Sequence, residues 1–294
     1  FVRPVHWAVL LYGSAVIETE ILGLSTGNLS YGHRFHAPES LVIESPETYE
    51  ATLLAHAKVI PSLEQRKTLI FDAANKAAEA VGGVAHIETD LLEEIAALNE
   101  FPVPITGNFD ICYLSLPKEV LITTMQINQK YFPIKNAQGD LLAHFITFSN
   151  IESSNPASIQ QGNERVIMPR LADAEFFWNQ DRKQSLADFC APLEKIVFQK
   201  KLGSMADKSQ RVGLLAEFIA AKMGADCTFV ARAAKLAKAD LVTNMVEEFG
   251  SLQGLMGRYY AQADGEENEV ATAIEEQYWP KQSGSPTAST LTGQ

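Results

Sequence analysis

The chain has 294 residues, 46% of them hydrophobic and 20% charged, with a formal net charge of −12. That length holds one or two good-sized cores, and with no long uninterrupted apolar run a membrane-spanning helix is excluded. Cys112, Cys190 and Cys227 are odd in number, far apart and in no CxxC pair, which argues against a disulfide framework or a zinc site and fits a reducing cytoplasm; each is expected to act as a small buried or half-buried hydrophobe.

Taken in order, HWAVLLYG and AVIETEILGL read as strands separated by a Gly-Ser turn, and SLVIES reads as a third. The opening residues lack a basic n-region followed by a long apolar core and a small-residue cleavage site, so they do not form a secretory leader. The first residue is not Met, and the chain opens inside a strand-like segment, which points to an excised fragment. A helical stretch is expected from Glu47 through Val81, stopped by Gly82 and Gly83, followed by a short helix over TDLLEEIAALNE. FPVPITGNF reads as a strand, LPKEVLITTMQINQ as a helix, and KYFPIKNAQGDLLAHFITFSN as a hairpin turning at Asn136 to Asp140, where Gly139 can supply positive φ. Beyond Asn150 the strand signals stop. IESSNPAS reads as a loop, and the segments after it are helical: one over Leu171 to Lys183 with Pro169 in its first turn, SLADFCAPLEKIVFQ broken at Pro192, MADKSQRVGLLAEFIAAKMG, ADCTFVARAAKLAKADLVTNMVEEFG, LQGLMGRYYAQADG and NEVATAIEEQYW. Leu214, Phe218 and Ala221, then Val230, Ala234, Ala237, Leu241 and Met245, keep three- or four-residue spacing, which makes a helical bundle the natural packing. The tail SGSPTASTLTGQ reads as mobile. The pattern is α+β over residues 1–155, all-helical over 156–282, with a flexible tail over 283–294.

The charge is unevenly placed. Between Lys195 and Lys238 nine basic residues stand against three acidic ones, a net of +6; between Asp240 and Glu276 nine acidic residues face Arg258 alone. A basic patch can bind phosphates on an acidic protein, although two oppositely charged helical surfaces could also simply pair. The stretch from Gly162 to Lys183, GNERVIMPRLADAEFFWNQDRK, packs four basic residues, four acidic residues and three consecutive aromatics into 22 positions. With Pro169 in a first turn, Arg165 and Arg170 fall near a helix N-terminus, where exposed N–H groups favour anions; the alternative is pairing of these arginines with Glu164, Asp173 and Glu175. Phe176, Phe177 and Trp178 are expected to weld the two domains.

This stretch resembles a signature of the beta subunit of bacterial heterotetrameric glycyl-tRNA synthetase. FVRPVHW at Phe1 to Trp7, GHRFH at Gly32 to His36, TGNFD at Thr106 to Asp110, NQKYFP at Asn128 to Pro133 and LQGLMGRYYA at Leu252 to Ala261 resemble the same family in the same order. The resemblance implies an N-terminal α+β domain similar to the editing-type domain of phenylalanyl-tRNA synthetase beta subunit, then a helical domain similar to HD metal phosphohydrolases. The chain departs from the HD pattern. All six histidines (His6, His33, His36, His56, His86, His144) lie in the first half, and Asp240, at the position resembling the Asp of the His-Asp pair, follows Ala239. The helical domain is therefore expected to be a degenerate HD scaffold with no metal site, and Asp240 structural or at most a weak magnesium-type carboxylate.

The resemblance implies that the chain binds and positions tRNA(Gly) and supports the alpha catalytic subunit in an alpha2 beta2 tetramer, with ATP and magnesium used by the alpha subunit and no cofactor, catalytic residue, membrane or DNA contact in this chain. The expected tRNA contacts are Arg165, Arg170, Arg182, Lys183, Lys200, Lys201, Lys208 and Arg211, with His33 and Arg34 of GHRFH as a second choice to a structural Gly-turn. A hydrolytic base at GHRFH lacks an accompanying Ser-His-Asp or Cys-His ordering. TGNFD reads as a strand-end turn whose Asn108 and Asp110 bond local backbone. The aromatics of NQKYFP read as core rather than as a base-stacking site beside Lys130. Gly254 and Gly257 permit tight helix contact, leaving Arg258 as the only ligand candidate there. Two other readings stay open: a surviving HD-type phosphohydrolase and a subunit-assembly module.

Overall fold

The computed structural model describes residues 4–294; Phe1, Val2 and Arg3 of the FVRPVHW segment lie outside the described residues. It divides into two units, one ending at Leu114 and resuming over Thr124–Met168, the other made of Ser115–Thr123 and Pro169–Gln294. Mixed α+β architecture holds for the chain, with no helix long and apolar enough to cross a membrane among the described residues.

The first unit begins with short strands: β1 (Ala8–Val9), β2 (Leu11–Tyr12), β3 (Ala15–Val16), β4 (Glu20–Ile21), β5 (Leu24–Gly27), β6 (Leu29–Tyr31) and β7 (Ser40–Val42). β2 and β3 pair across the expected Gly-Ser turn, where Gly13 takes φ 59°. The helical stretch expected from Glu47 to Val81 is interrupted. A 3₁₀ turn, α1 (Tyr49–Thr52) and a π turn end at Lys58 in the left-handed region (φ 52°), and α2 (Leu63–Glu79) starts afresh from Ser62, whose hydroxyl accepts from the Gln65 N–H. Pro61 explains the restart, since a proline disfavours helical geometry at the residue before it. β8 (Val84–Ala85), β9 (Val103–Asn108), β10 (Phe132–Lys135) and β11 (Leu141–Ser149) form a sheet ordered β8-β10-β11-β9, with α3 (Thr89–Leu98) between β8 and β9 in sequence. Ile70, Ala74 and Ala78 of α2, Leu91 and Ile95 of α3, and Phe132, Ile134 and Ile146 of the sheet make one core. The β10-β11 turn falls where expected: the Asn136 side chain accepts from the N–H groups of Gln138 and Asp140, and Gly139 takes φ 87°.

The NQKYFP aromatics are core, as read. Tyr131 stacks on Phe145 at 4.5 Å, and Phe132 is fully buried. Gly107 lets that Phe145 ring lie against the β9 backbone, since a Cβ there would come within 2.3 Å of it. The reading of TGNFD holds only in part. Asp110 does bond the nearby Cys112 N–H, but Asn108 turns its N–H and Nδ2 to Glu164, far along the chain.

Two expectations at the signature stretch are corrected by α5 (Pro156–Asp181), which opens thirteen residues before Pro169. Asn155 accepts from the Ser158 N–H and Pro156 occupies the first helical position, so IESSNPAS ends in a helix start. Pro169 is interior, and Arg165 and Arg170 sit mid-helix, away from any free N-terminal N–H groups. The aromatic triplet is not one buried weld, because Phe176 is 61% exposed; Trp178 stacks on Tyr260 at 5.3 Å within the second unit.

The second unit also holds α4 (Lys118–Thr123), a 3₁₀ helix over Leu186–Lys195, α6 (Met205–Met223), α7 (Cys227–Leu236), α8 (Asn244–Glu248), α9 (Leu255–Ala263) and α10 (Asn268–Glu276). Strands do not stop at Asn150: β12 (Val197–Gln199) pairs with β13 (Gly203–Ser204) in a ribbon around Lys200 and Lys201. α7 and α9 pack on α10, burying Val230, Leu236, Met256, Val270 and Ile274. α6 packs on α7, with Ala220 buried, but not through the residues expected. Its Leu214 and Phe218 are exposed, together with Val212, Leu215, Ile219 and Met223. Cys112 and Cys227 are exposed rather than buried. The tail is tied down: Ser289 and Thr290 donate through both N–H and hydroxyl to the Glu276 carboxylate, and Thr292 to Glu269.

Candidate nucleic-acid interface

At Gly32–His36 the chain makes a turn that carries its own fastening. Gly32 passes so close to Ala57 that a Cβ would come within 2.8 Å of its Cα, and the His33 N–H donates to the Ala57 carbonyl. His33 is 3% exposed. Its Nδ1 accepts from the N–H groups of Phe35 and His36, which fixes the proton on Nε2, and Nε2 donates to the Asn150 carbonyl at 2.5 Å. His36 Nε2 accepts from the Glu152 N–H. With both His33 nitrogens engaged and the ring buried, neither general-base work nor direct contact with RNA is open to it. Candidacy at this turn passes to Arg34, which is exposed and free of ion pairs among the described residues.

Arg165 and Arg170 project from α5 into solvent. Neither makes the pairing considered for it, and Glu164 instead accepts from Asn108 and Gln160. Arg182 lies over the Trp178 ring at 5.0 Å, and the Lys183 ammonium donates to Gln180.

In the basic segment, Lys200 and Lys201 sit at the tip of the β12-β13 ribbon, and Lys208 and Arg211 on the first half of α6. Lys208 covers the Phe198 ring at 4.4 Å. Asp207, the closest acidic neighbour in sequence, is committed to the cap of α6, taking the N–H and hydroxyl of Ser204, which pulls its pKa below the ordinary carboxylate range. Pairing between the basic and acidic segments is sparse: Arg232 binds Glu266 through two nitrogens. Lys238 is partly withdrawn, sitting 3.8 Å from the centre of the Tyr278 ring, where burial and then the Lys208 charge bring its pKa down to about 8.

Two buried carboxylates hold the helical unit together. Asp181, 1% exposed, accepts from the backbone and side-chain amides of Asn244, the Met245 N–H and the Tyr260 hydroxyl. No local pattern announces this role, because all the donors come from distant α8 and α9. Asp240 Oδ2 accepts from the N–H groups of Gly254 and Gly257, at the start of α9. Gly254 needs its φ of 81° and the room that a Cβ would take from Tyr278, while Gly257 lies against Ile274. These glycines do serve tight contact, as read, and their amides reach Asp240 as well. Arg258 is not available as a ligand contact, being paired with Glu275 at 2.5 Å. Burial dominates at Asp240, whose Oδ1 has no partner among the described residues, and raises its pKa to about 6. Among the described residues no group of three or more His, Cys, Asp or Glu is placed to hold a metal ion, and the Asp240 surroundings supply amides where HD chemistry needs imidazoles.

The sequence profile described as glycyl-tRNA synthetase beta subunit matches residues 1–294. The chain is 48% identical over 293 residues to the glycine–tRNA ligase beta subunit of Hahella chejuensis, covering 100% of this chain and 42% of that protein. It is 50% identical over 284 residues to the beta subunit of Proteus mirabilis, covering 97% of this chain and 41% of that one. For Chromohalobacter salexigens the identity is 49% over 281 residues, with 96% and 41% covered. The chain therefore spans about two-fifths of the length of these relatives.

Proposed function

The chain belongs to the glycyl-tRNA synthetase beta subunit family, and from that premise we propose that it binds and positions tRNA(Gly) and supports the alpha catalytic subunit in ATP-dependent glycyl-tRNA synthesis. In this reading the chemistry, with ATP and magnesium, belongs to the alpha subunit of a cytoplasmic alpha2 beta2 assembly, and this chain alone carries no ligase activity. The observation that carries the tRNA role is the set of uncommitted cations on a chain of net charge −12. Arg165, Arg170, Lys200, Lys201 and Arg211 are exposed and make no ion pair among the described residues. Cations left unpaired amid so many carboxylates fit a phosphate-bearing partner.

The test is tRNA(Gly) binding by the intact alpha-beta complex, measured against salt. Replacing Lys200, Lys201, Lys208 and Arg211 by Ala is expected to weaken binding and flatten the salt slope; unchanged affinity and slope would overturn the tRNA role of this set. Aminoacylation by this chain without alpha subunit would overturn the assignment of the chemistry.

A subunit-assembly role is favoured by one further observation, the apolar strip Val212, Leu215, Phe218 and Ile219 along α6, whose side chains are exposed. Loss of alpha-subunit binding on Phe218→Asp, with tRNA binding kept, would separate the two roles.

A further inference from the structure

The first unit contains a pocket of about 550 Å³ around the Gly32–His36 turn, and its wall chemistry is unusual for a surface. Trp7 and Tyr31 line it with their rings 4.8 Å apart, and Phe35, 70% exposed, stands at its edge. Three aromatics exposed around one concavity forgo burial worth several kcal/mol, which a flat apolar ligand would restore. The polar groups are equally specific. Asn150 is bonded at three groups: its carbonyl accepts from His33, its Oδ1 from the Phe101 N–H, and its Nδ2 donates to Glu100 Oε2. That last bond positions the Glu100 carboxylate and leaves Oε1 without a partner among the described residues. Arg34, also unpaired there, completes the lining.

We propose that this pocket captures one unpaired nucleotide of a bound RNA, its base stacking among Trp7, Tyr31 and Phe35, an amino N–H donating to Glu100, and a flanking phosphate meeting Arg34. The inference rests on the tRNA-binding reading and assigns it a site apart from the basic segment of the second unit. The volume suits a nucleotide, and stacked aromatics with a guanidinium are how single-stranded RNA is held. A carboxylate acceptor discriminates as well. Cytosine, adenine and guanine each offer an amino group, whereas uracil sets two carbonyl oxygens beside its single N–H and is repelled.

The test uses the intact alpha-beta complex with tRNA(Gly) and with short single-stranded oligo(C), oligo(A) and oligo(U). Oligo(C) or oligo(A) is expected to bind more tightly than oligo(U). Phe35→Ala, at a side chain too exposed to matter for folding, should cost about tenfold in affinity for tRNA and for the preferred oligonucleotide. Glu100→Gln, which can both donate and accept, should erase the discrimination against oligo(U). Equal binding of the three oligonucleotides together with unchanged tRNA affinity in Phe35→Ala, Arg34→Ala and Glu100→Gln would overturn the pocket assignment while leaving the basic-segment reading standing. Thiol labelling of Phe35→Cys decides the other occupant: blocked labelling in the complex without RNA would mean that protein covers the pocket, which also overturns the proposal.

Discussion

At the Gly32–His36 turn, three imidazole nitrogens are bonded to backbone groups of the same unit, and the residues left facing solvent are Arg34 and Phe35. Along Val197–Met223 the balance is reversed: Lys200, Lys201 and Arg211 make no ion pair among the described residues, and the apolar strip of α6 is exposed. The difference separates two uses of residue types that look alike in a sequence. Histidines beside an arginine, read first as a structural turn, are fasteners, while an apolar helical repeat suggested core and turns out to be surface. Groups whose bonding capacity is already filled hold the fold; groups left open are the ones a partner can use.

That contrast can be broken by substitution. The largest effect is expected at His33→Ala, which removes a buried imidazole and strands the N–H groups of Phe35 and His36 and the Asn150 carbonyl; a loss of about 3 kcal/mol in urea denaturation fits the lost packing together with three part-buried polar groups left unpaired. A loss below about 1 kcal/mol would mean the turn is held by other contacts. Asp240→Ala should follow at about 2 kcal/mol, with Asp240→Asn milder because an amide oxygen still serves Gly254 and Gly257. Here pH sharpens the distinction. The Asp240 carboxyl is raised to about 6, so the native state holds its proton more tightly than the unfolded chain between about pH 4 and 6. Stability relative to Asp240→Asn should therefore rise as pH falls from 7 to about 4, by up to about 2 kcal/mol, and a flat difference would exclude a buried, under-bonded carboxylate. The smallest effect belongs to α6: Leu214→Ser and Phe218→Ser should change the stability of the chain by less than about 0.5 kcal/mol, since both side chains are already in water. A loss of several kcal/mol would place them in a core after all.

Much of the fold was legible where the signal is local. α3, the Asn136–Asp140 turn and the cap of α6 follow from neighbouring residues, and the Asn155-Pro156 start of α5 was written in the same vocabulary although Pro169 drew the boundary away from it. What stayed illegible is non-local. Periodicity gives α6 an apolar face without saying what covers it, and Asp181 reads as a solvated helix-end charge until α8 and α9 bring it four donors. The Ser289–Thr290 clasp on Glu276 hides in a Ser/Thr-rich tail for the same reason: its acceptor lies on another element. Of the site, the sequence supplied the list of cations, and only the bonding pattern sorted them.

The fixed tautomer of His33 has a spectroscopic consequence. Its Nε2 proton is buried and held on the Asn150 carbonyl, so it is shielded from exchange with water and should give a resolved downfield signal in proton NMR. Asn150 connects that carbonyl to Glu100 through its side chain, which makes a single imidazole resonance a built-in reporter of what happens at the pocket.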